Sequence, residues 1–423
     1  MKSVLSHHSH AKNTGIVDDD ETAPPSESDS NSDVSDDTEA SETSTIMYSQ
    51  ESFETYKDRV TLLLASLLPQ TIASPPTINR LQGGSYNRVV GITLTSTCPE
   101  IQNKSQDEEL ILRVPRDVDD VNVACRARVL IQLRKAGTVP VPEVLFYDAT
   151  RNNALDSPYI IMRRIEGEGL DSALKKMNHQ ERLGVAREMA KLLAQMYSTP
   201  VPPDIGPLCA SDDSLEIGRF TRHGTFEYPT PDYSPPSTLL AFCQTRFTEH
   251  ANGAIDLTNT SLSQLYHRIR RASKTFLRMH GYSSSKFRRY VIHHRDLVAR
   301  HVLVKRVSVH STPPSTETYE WKITGILDWD ECEVAPALIS FSCPGWLWRQ
   351  PYKGPSPDSF QGIDCDPDAA ALNEEYEEIK QVFLREIEVL LPGFVDVVRK
   401  RKQTSVKKLF VAEMLLIADK LNF

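Results

Sequence analysis

Two stretches decide the fold: His294-Arg295-Asp296-Leu297-Val298-Ala299-Arg300-His301-Val302-Leu303-Val304 and, further along, Gly325-Ile326-Leu327-Asp328-Trp329-Asp330. In the first, an acid follows two histidines and precedes an apolar run, Val302–Val307, that reads as a strand. In the second, a strand over Ile323–Leu327 runs straight into another acid. A third short strand, Tyr290–His293, leads into the loop. A carboxylate in a loop, then a strand ending in a second carboxylate, suits phosphoryl transfer. That chemistry needs one carboxylate to accept or orient a hydroxyl proton and oxygen ligands to hold Mg²⁺ against phosphates. The pattern therefore predicts Asp296 as the base and Asp328 as a metal ligand. His-Arg-Asp-Leu by itself is also met in surface turns; the Asp-Trp-Asp element downstream shifts the weight to the functional reading.

Working outward, the part of the chain before this pair changes its period. Phe53, Tyr56, Val60, Leu63, Leu64 and Leu67 recur at helical spacing, and Pro69 ends the pattern. Strand-like runs follow at Ile78–Leu81 and Arg88–Leu94, separated by the turn Gly83-Gly84-Ser85, and a third covers Glu109–Val114. A helix is predicted over Val121–Lys135, with Val-Pro-Val-Pro (139–142) as a hard break. Glu143–Tyr147 and Tyr159–Arg164 read as two more strands. After Glu166-Gly167-Glu168 the period becomes 3.6, with Leu183, Ala186, Ala190, Leu193 and Tyr197 on one helical face. Residues 199–237 read as a proline-rich loop. Helical patterns return at Leu239–His250, Ser261–Met279, Glu374–Leu391 and Val406–Leu421. Five strands with one helix, then a mostly helical half, predict an α+β, bilobal layout. Its first lobe is an antiparallel sheet plus one helix. The expected boundaries are a tail over 1–50, an N-terminal helix over 51–77, a first lobe over 78–167, a second lobe over 168–345, and a helical extension over 346–423.

Pro140-Val141-Pro142-Glu143, Tyr159-Ile160-Ile161-Met162-Arg163-Arg164-Ile165-Glu166-Gly167 and Ile326-Leu327-Asp328-Trp329-Asp330 resemble the aminoglycoside phosphotransferase and choline kinase-like family, in its fungal form, over most of residues 78–345. His-Arg-Asp-Leu also resembles protein kinases. Against these, Asp-Trp-Asp replaces Asp-Phe-Gly, Val298 stands where a Lys is usual, and no Ala-Pro-Glu follows, so the small-molecule kinase outranks the protein kinase. The resemblance implies a protein kinase-like fold, ATP and Mg²⁺ (or Mn²⁺) as cofactors, and a small-molecule hydroxyl as acceptor. It implies a nucleotide loop at Gly83, Gly84, Ser85 and Asn87, where glycine lets the backbone present N–H groups to phosphate. Arg113 becomes the third-strand cation that steadies the phosphates. Met162 opens a hinge, Met162–Glu166, against the adenine edge; a strand ending in a turn is the competing reading.

Three positions depart from that pattern. Arg113 stands where Lys is usual, with a planar fork rather than a point charge. The acid expected on the helix after the third strand is missing: the aligned position is Arg126, a like charge for Arg113, and Asp117, Asp119 or Asp120 are the substitutes within reach. The metal-binding Asn is His301. An imidazole suits Mn²⁺ better than the hard, oxygen-seeking Mg²⁺, and a packing role with no metal is the weightier alternative. One of His293 and His294 is expected to hold Asp296 from beneath the loop. Trp346 and Trp348 are candidates for a substrate wall or for the core.

Composition narrows the classes. Of the 57 acids and 48 bases, 11 acids and 2 bases lie in residues 1–50, which leaves 46 of each beyond. The acidity belongs to the tail, and a neutral body argues against a nucleic-acid footprint. The Ser/Asp/Glu-rich stretch 13–50 is too poor in apolar residues to offset its ordering entropy and reads as disordered. Its Ser-rich run (26–33) and His7, His8 and His10 read as solvated. Seven scattered cysteines with no Cys-x-x-Cys argue against a disulfide framework or a structural zinc site. With no apolar leader and no apolar run longer than Val60–Leu68, the expectation is a reduced, cytoplasmic protein that does not cross a membrane. The competing functional readings are a catalytically impaired, kinase-like nucleotide-binding regulator and, last, an interaction protein whose active element is the tail.

Overall fold

The computed structural model describes residues 51–68, 75–81, 86–95, 107–116, 122–218, 237–241, 289–309, 318–349, 367–368 and 370–402, with scattered helical residues between 244 and 271. The glycine turn 83–85, Asp117, Asp119, Asp120, the tail and the helix expected over 406–421 lie outside them.

Helix α1 (Phe53–Leu67) buries Tyr56, Val60, Leu63 and Leu64, the face its apolar spacing marks. Strands β1 (Thr77–Arg80), β2 (Asn87–Leu94), β3 (Glu108–Pro115), β4 (Val144–Asp148) and β5 (Tyr159–Arg163) form an antiparallel sheet of order β1-β2-β3-β5-β4. Alternation in β3 sorts its residues: Leu110, Leu112 and Val114 are buried on one face, while Ile111 and Arg113 share the other. Val89 of β2 pairs with Arg113, and Asn87 with Pro115, so Asn87 lies on the Arg113 face.

Helix α2 (Val123–Ala136) is capped at both ends. The Asn122 side chain accepts the Cys125 N–H, and Gly137, at φ 66°, donates its N–H to the carbonyls of Leu133 and Arg134. Its buried Val123, Ala127, Leu130 and Leu133 join a core shared with the second half. Past β5 the chain turns through Gly167 at φ 130°. A side chain there would meet the Val304 carbonyl at 2.6 Å, so glycine is required on conformation and on space.

The second half is built around α4 (His179–Ser198), which follows strand β6 (Glu168–Gly169) and a single-turn helix, α3 (Leu170–Ala173). A capping box opens α4: Asn178 accepts from the Glu181 N–H, and Glu181 accepts from the Asn178 N–H. Residues 199–218, read as loop from sequence, contain strands β7 (Gly206–Ala210) and β8 (Leu215–Ile217). They sit in a four-stranded sheet, β8-β7-β12-β9, with β9 (Tyr290–His293) and β12 (Glu333–Pro336). The hairpin β10 (Val302–Val309) and β11 (Thr318–Ile326) pairs with β6. Short helix α5 (Ala337–Ser340), α6 (Glu374–Leu390) and α7 (Phe394–Lys402) complete the described part. Tyr197, Phe341, Phe383 and Phe394 form an aromatic cluster. Trp348 is fully buried 5.5 Å from Phe383, which makes it core rather than a substrate wall.

The sheet-plus-helix first half and larger, helix-rich second half match the α+β expectation. The cysteine reading needs correction. Cys125 of α2 and Cys209 of β7 form a disulfide with Cα atoms 5.4 Å apart. Spacing carries no sign of it, because the chain folds back across a separation of 84 residues to bring the two together. Cys332 and Cys343 are buried outside that bond. Among the described residues, no helix is long and apolar enough to cross a membrane.

Candidate active site

The β10–β11 hairpin brings two loops distant in sequence into contact. Val302 pairs with Ile326, and the Leu327 N–H donates to the His301 carbonyl at 2.8 Å, so the loop after β9 lies beside the end of β11. Asp296 comes from that loop and Asp328 from just past the strand. Asp296, His301 and Asp328 each offer one ligand atom, all within 4.8 Å of one another.

Two of the turns that place these groups use left-handed backbone. Arg295 has φ 53° and Asp328 φ 63°, a region that costs an L-residue about 1–2 kcal/mol. Asp tolerates it through local hydrogen bonding; Arg does not, so the surrounding structure imposes it. The constraints are visible on both sides. Buried His294 donates from Nε2 to the Leu327 carbonyl at 3.0 Å and packs edge-on against Trp329, ring centres 4.9 Å apart. Trp329 donates from Nε1 to the Ile326 carbonyl at 3.0 Å. His293 donates from Nδ1 to Glu333 at 2.9 Å, which ties β9 to β12.

One of His293 and His294 is expected from sequence to hold Asp296; their side chains bond Glu333 and Leu327 instead, while the Asp296 N–H donates to the His294 carbonyl. Burial, with a smaller contribution from nearby His301, pushes the His294 imidazole down to about 4, so it is neutral near pH 7. His301 is the residue that grips Asp296, donating from Nδ1 to its carbonyl at 2.9 Å. That bond fixes the tautomer and leaves Nε2 with a lone pair. Nε2 lies 3.8 Å from an Asp328 oxygen and accepts from Arg300 Nε at 3.2 Å. Arg300 also lies 3.5 Å from the Asp296 carboxylate. Trp346 donates to the Leu297 carbonyl at 3.3 Å and backs the loop from below.

The donor set is two carboxylates and one imidazole nitrogen. It fits a divalent cation that accepts mixed oxygen and nitrogen ligands, Mn²⁺ more comfortably than Mg²⁺. Burial, and then the charge of Asp330, hold the Asp328 carboxyl above its usual range. A bound cation would reverse that balance.

Arg113 donates from both terminal nitrogens to Asp330, at 3.3 and 2.7 Å, and lies 3.8 Å from Asp328. Arg126, which cannot pair with Arg113 directly, donates to the same Asp330 carboxylate at 3.1 Å, and Asn87 donates to it at 3.3 Å. Asp330 thus collects a strand cation, a helix cation and an amide. Its burial alone would raise its pKa, but Arg113 and Arg126 outweigh that and hold it below the usual carboxylate range. Sequence reasoning gives Asp330 no role of its own, although it stands in the Asp-Trp-Asp motif, where a second acid without a metal to hold is signal enough. Met162 is buried inside β5, between β3 and β4, and the chain leaves the sheet only after Arg163.

Residues 77–361 match the family described as "Phosphotransferase enzyme family". Over 130 residues the chain is 26% identical to a subtelomeric hrmA-associated cluster protein of Aspergillus fumigatus, found in two strains; the match spans 30% of this chain and 24% of that protein. Among solved structures it is similar to a thermostable mutant of aminoglycoside phosphotransferase APH(4)-Ia in its apo form. There the identity is 14%, the coverage 85% of this chain and 93% of that one, and the TM-score 0.43. ADP-bound APH(2'')-Ib is similar at 12% identity, with 84% and 93% coverage and a TM-score of 0.41.

Proposed function

The chain belongs to the phosphotransferase enzyme family, and from that premise we propose that it transfers a phosphoryl group from ATP to a hydroxyl of a small molecule. The observation that carries this reading is the convergence of Asp296, His301 and Asp328 on one point, with Arg113 and its partners beside them.

Each residue has a role that its surroundings support. Asp296, partly exposed at the tip of its loop, accepts or orients the proton of the attacking hydroxyl. Asp328 and His301 Nε2 are the groups that would hold a divalent cation. Such a cation would supply positive charge that offsets the charge of the donor phosphates. Arg113, held by Asp330 through both terminal nitrogens, turns its charge and its remaining N–H donors to the phosphates of the donor. Gly83, Gly84 and Ser85 are nucleotide-binding residues in this reading, and the backbone beyond Met162 meets the base.

A second reading, a nucleotide-binding regulator with slow or absent transfer, draws on one specific feature. Arg300 lies beside both the Asp296 carboxylate and His301 Nε2, where it competes with substrate proton and cation.

The two readings part in one experiment. The protein is incubated with ATP and Mg²⁺ or Mn²⁺ over a panel of sugars, amino alcohols and aminoglycosides, and transfer is followed for wild type and Asp296→Asn. Loss of a positioned base lowers the rate by about 100- to 10,000-fold. Turnover that survives Asp296→Asn removes the base. Nucleotide binding without turnover on any acceptor favours the regulator.

A further inference from the structure

The first lobe carries a cation on its third strand and no acid on its helix; the aligned position is Arg126. Left so, two guanidinium groups would face one another in a partly dry site, where like charges repel. The structure contains an answer to that problem. Asp330 lies between them, with Arg113 at 2.7 Å, Arg126 at 3.1 Å and Asn87 at 3.3 Å. The Asp330, Arg113 and Arg126 side chains are 12%, 18% and 19% exposed, so water screens them little.

We infer that Asp330 takes the place of the absent helix acid as the carboxylate that positions Arg113 toward the nucleotide phosphates, and that Arg126 is a second cation of the same phosphate cradle. This rests on the phosphotransfer reading of the site and deepens it. Charge counting supports the assignment. One carboxylate facing two guanidinium groups leaves a net positive charge on this side of the site, beside Asp328 at 3.8 Å from Arg113. An anion with its cation is the ligand that such a juxtaposition accommodates. Geometry supports it as well. Asp330 accepts from Arg113 through both of its oxygens, whereas Arg126 reaches only one of them, which leaves donors of Arg126 for another acceptor.

The arrangement also differs from a helix-borne acid in what it connects. Asp330 is two residues from Asp328 in the chain, so the fork of Arg113, the helix carrying Arg126 and the proposed metal ligand are joined through one short turn. Moving α2 would move Arg126, unload Asp330 and disturb that turn. Asp330 and Arg126 are therefore positioning residues, and the sharpest test exchanges the charge arrangement rather than deleting it.

Affinity for a non-hydrolysable ATP analogue with Mn²⁺ is measured by calorimetry on the full chain for wild type, Arg126→Glu, Asp330→Asn and the double variant Arg126→Glu/Asp330→Asn, with urea unfolding of each. Arg126→Glu alone places two carboxylates against one Arg113 and weakens binding by about 100-fold. The double variant puts a single acid on the helix, where the introduced carboxylate pairs with Arg113, and recovers most of that loss. If Arg126→Glu does not fold, Arg126→Gln serves instead, with an expected loss of about tenfold in affinity and an unchanged unfolding midpoint. Additive losses in the double variant, or an affinity unaffected by either Arg126 substitution in folded protein, overturn the inference. Wild-type protein that binds no nucleotide overturns the phosphotransfer reading and the positioning role together. That outcome is told apart by the wild-type titration alone.

Discussion

Asp328 and Asp330 are two residues apart on the same turn, yet their surroundings are opposite. Asp330 is nearly enclosed and saturated: two guanidinium groups and an amide donate to it, and its charge is favoured. Asp328 is 41% exposed, sits in left-handed backbone, and among the described residues meets Arg113 and His301 at 3.8 Å. Its charge is disfavoured by burial and by Asp330 itself. The turn between them is fixed by Trp329, buried against His294, so the two side chains are sent to different sides of one anchor. The comparison teaches that Asp330 is satisfied within the protein, whereas Asp328, the proposed metal ligand, is held ready at a cost. That is the signature expected where stability yields to function.

The largest break in this contrast should come from Asp330→Ala. Leaving two partly buried guanidinium groups uncompensated should cost about 3–5 kcal/mol, read as a lower midpoint in urea. Next, reducing the Cys125–Cys209 disulfide loosens α2, where Cys125 adjoins Arg126. Stability should fall by about 2–4 kcal/mol in unfolding curves with and without dithiothreitol. His301→Asn acts on the other side. Replacing the imidazole by an amide oxygen should shift preference from Mn²⁺ toward Mg²⁺, by about tenfold in the ratio of the two affinities; an unchanged ratio would remove His301 from the metal. The smallest effect on folding belongs to Asp328→Asn. Since the folded state raises the pKa of this carboxyl, its ionised form opposes folding above that pKa, and the opposition is relieved as pH falls through it. Neutralising it should leave metal-free stability at pH 7 unchanged or higher, within about 1 kcal/mol. A large loss of stability would make Asp328 structural, and the contrast would fail.

Much of this is legible in the chain because short-range physics decides it. The five strands and α2 follow from alternation and helical period, and Asp296, His301 and Asp328 from a motif whose spacing the β10–β11 hairpin closes. Strands β7, β8 and β12 escape such reading because each is only three to five residues long; β7 and β8 pair as a local hairpin, and β12 reaches β7 from far along the chain. Helix α7 is only nine residues long and ends in Arg-Lys-Arg-Lys, and buried Phe394, Val397 and Val398 seat it. The disulfide and the three donors gathered by Asp330 are invisible for a common reason. Each depends on α2 lying against elements far later in the chain, and no local period encodes that. Arg126 looks like a defect when read against the strand cation alone. The defect disappears once Asp330 is placed between them.

The account stands on Asp328 holding a cation beside Asp296. The most direct measurement is a Mn²⁺ titration, followed by electron paramagnetic resonance, of wild type and Asp328→Asn, each saturated with a non-hydrolysable ATP analogue. Saturable binding in wild type that is lost in folded Asp328→Asn is the predicted result. Equal Mn²⁺ binding by the two proteins would contradict it.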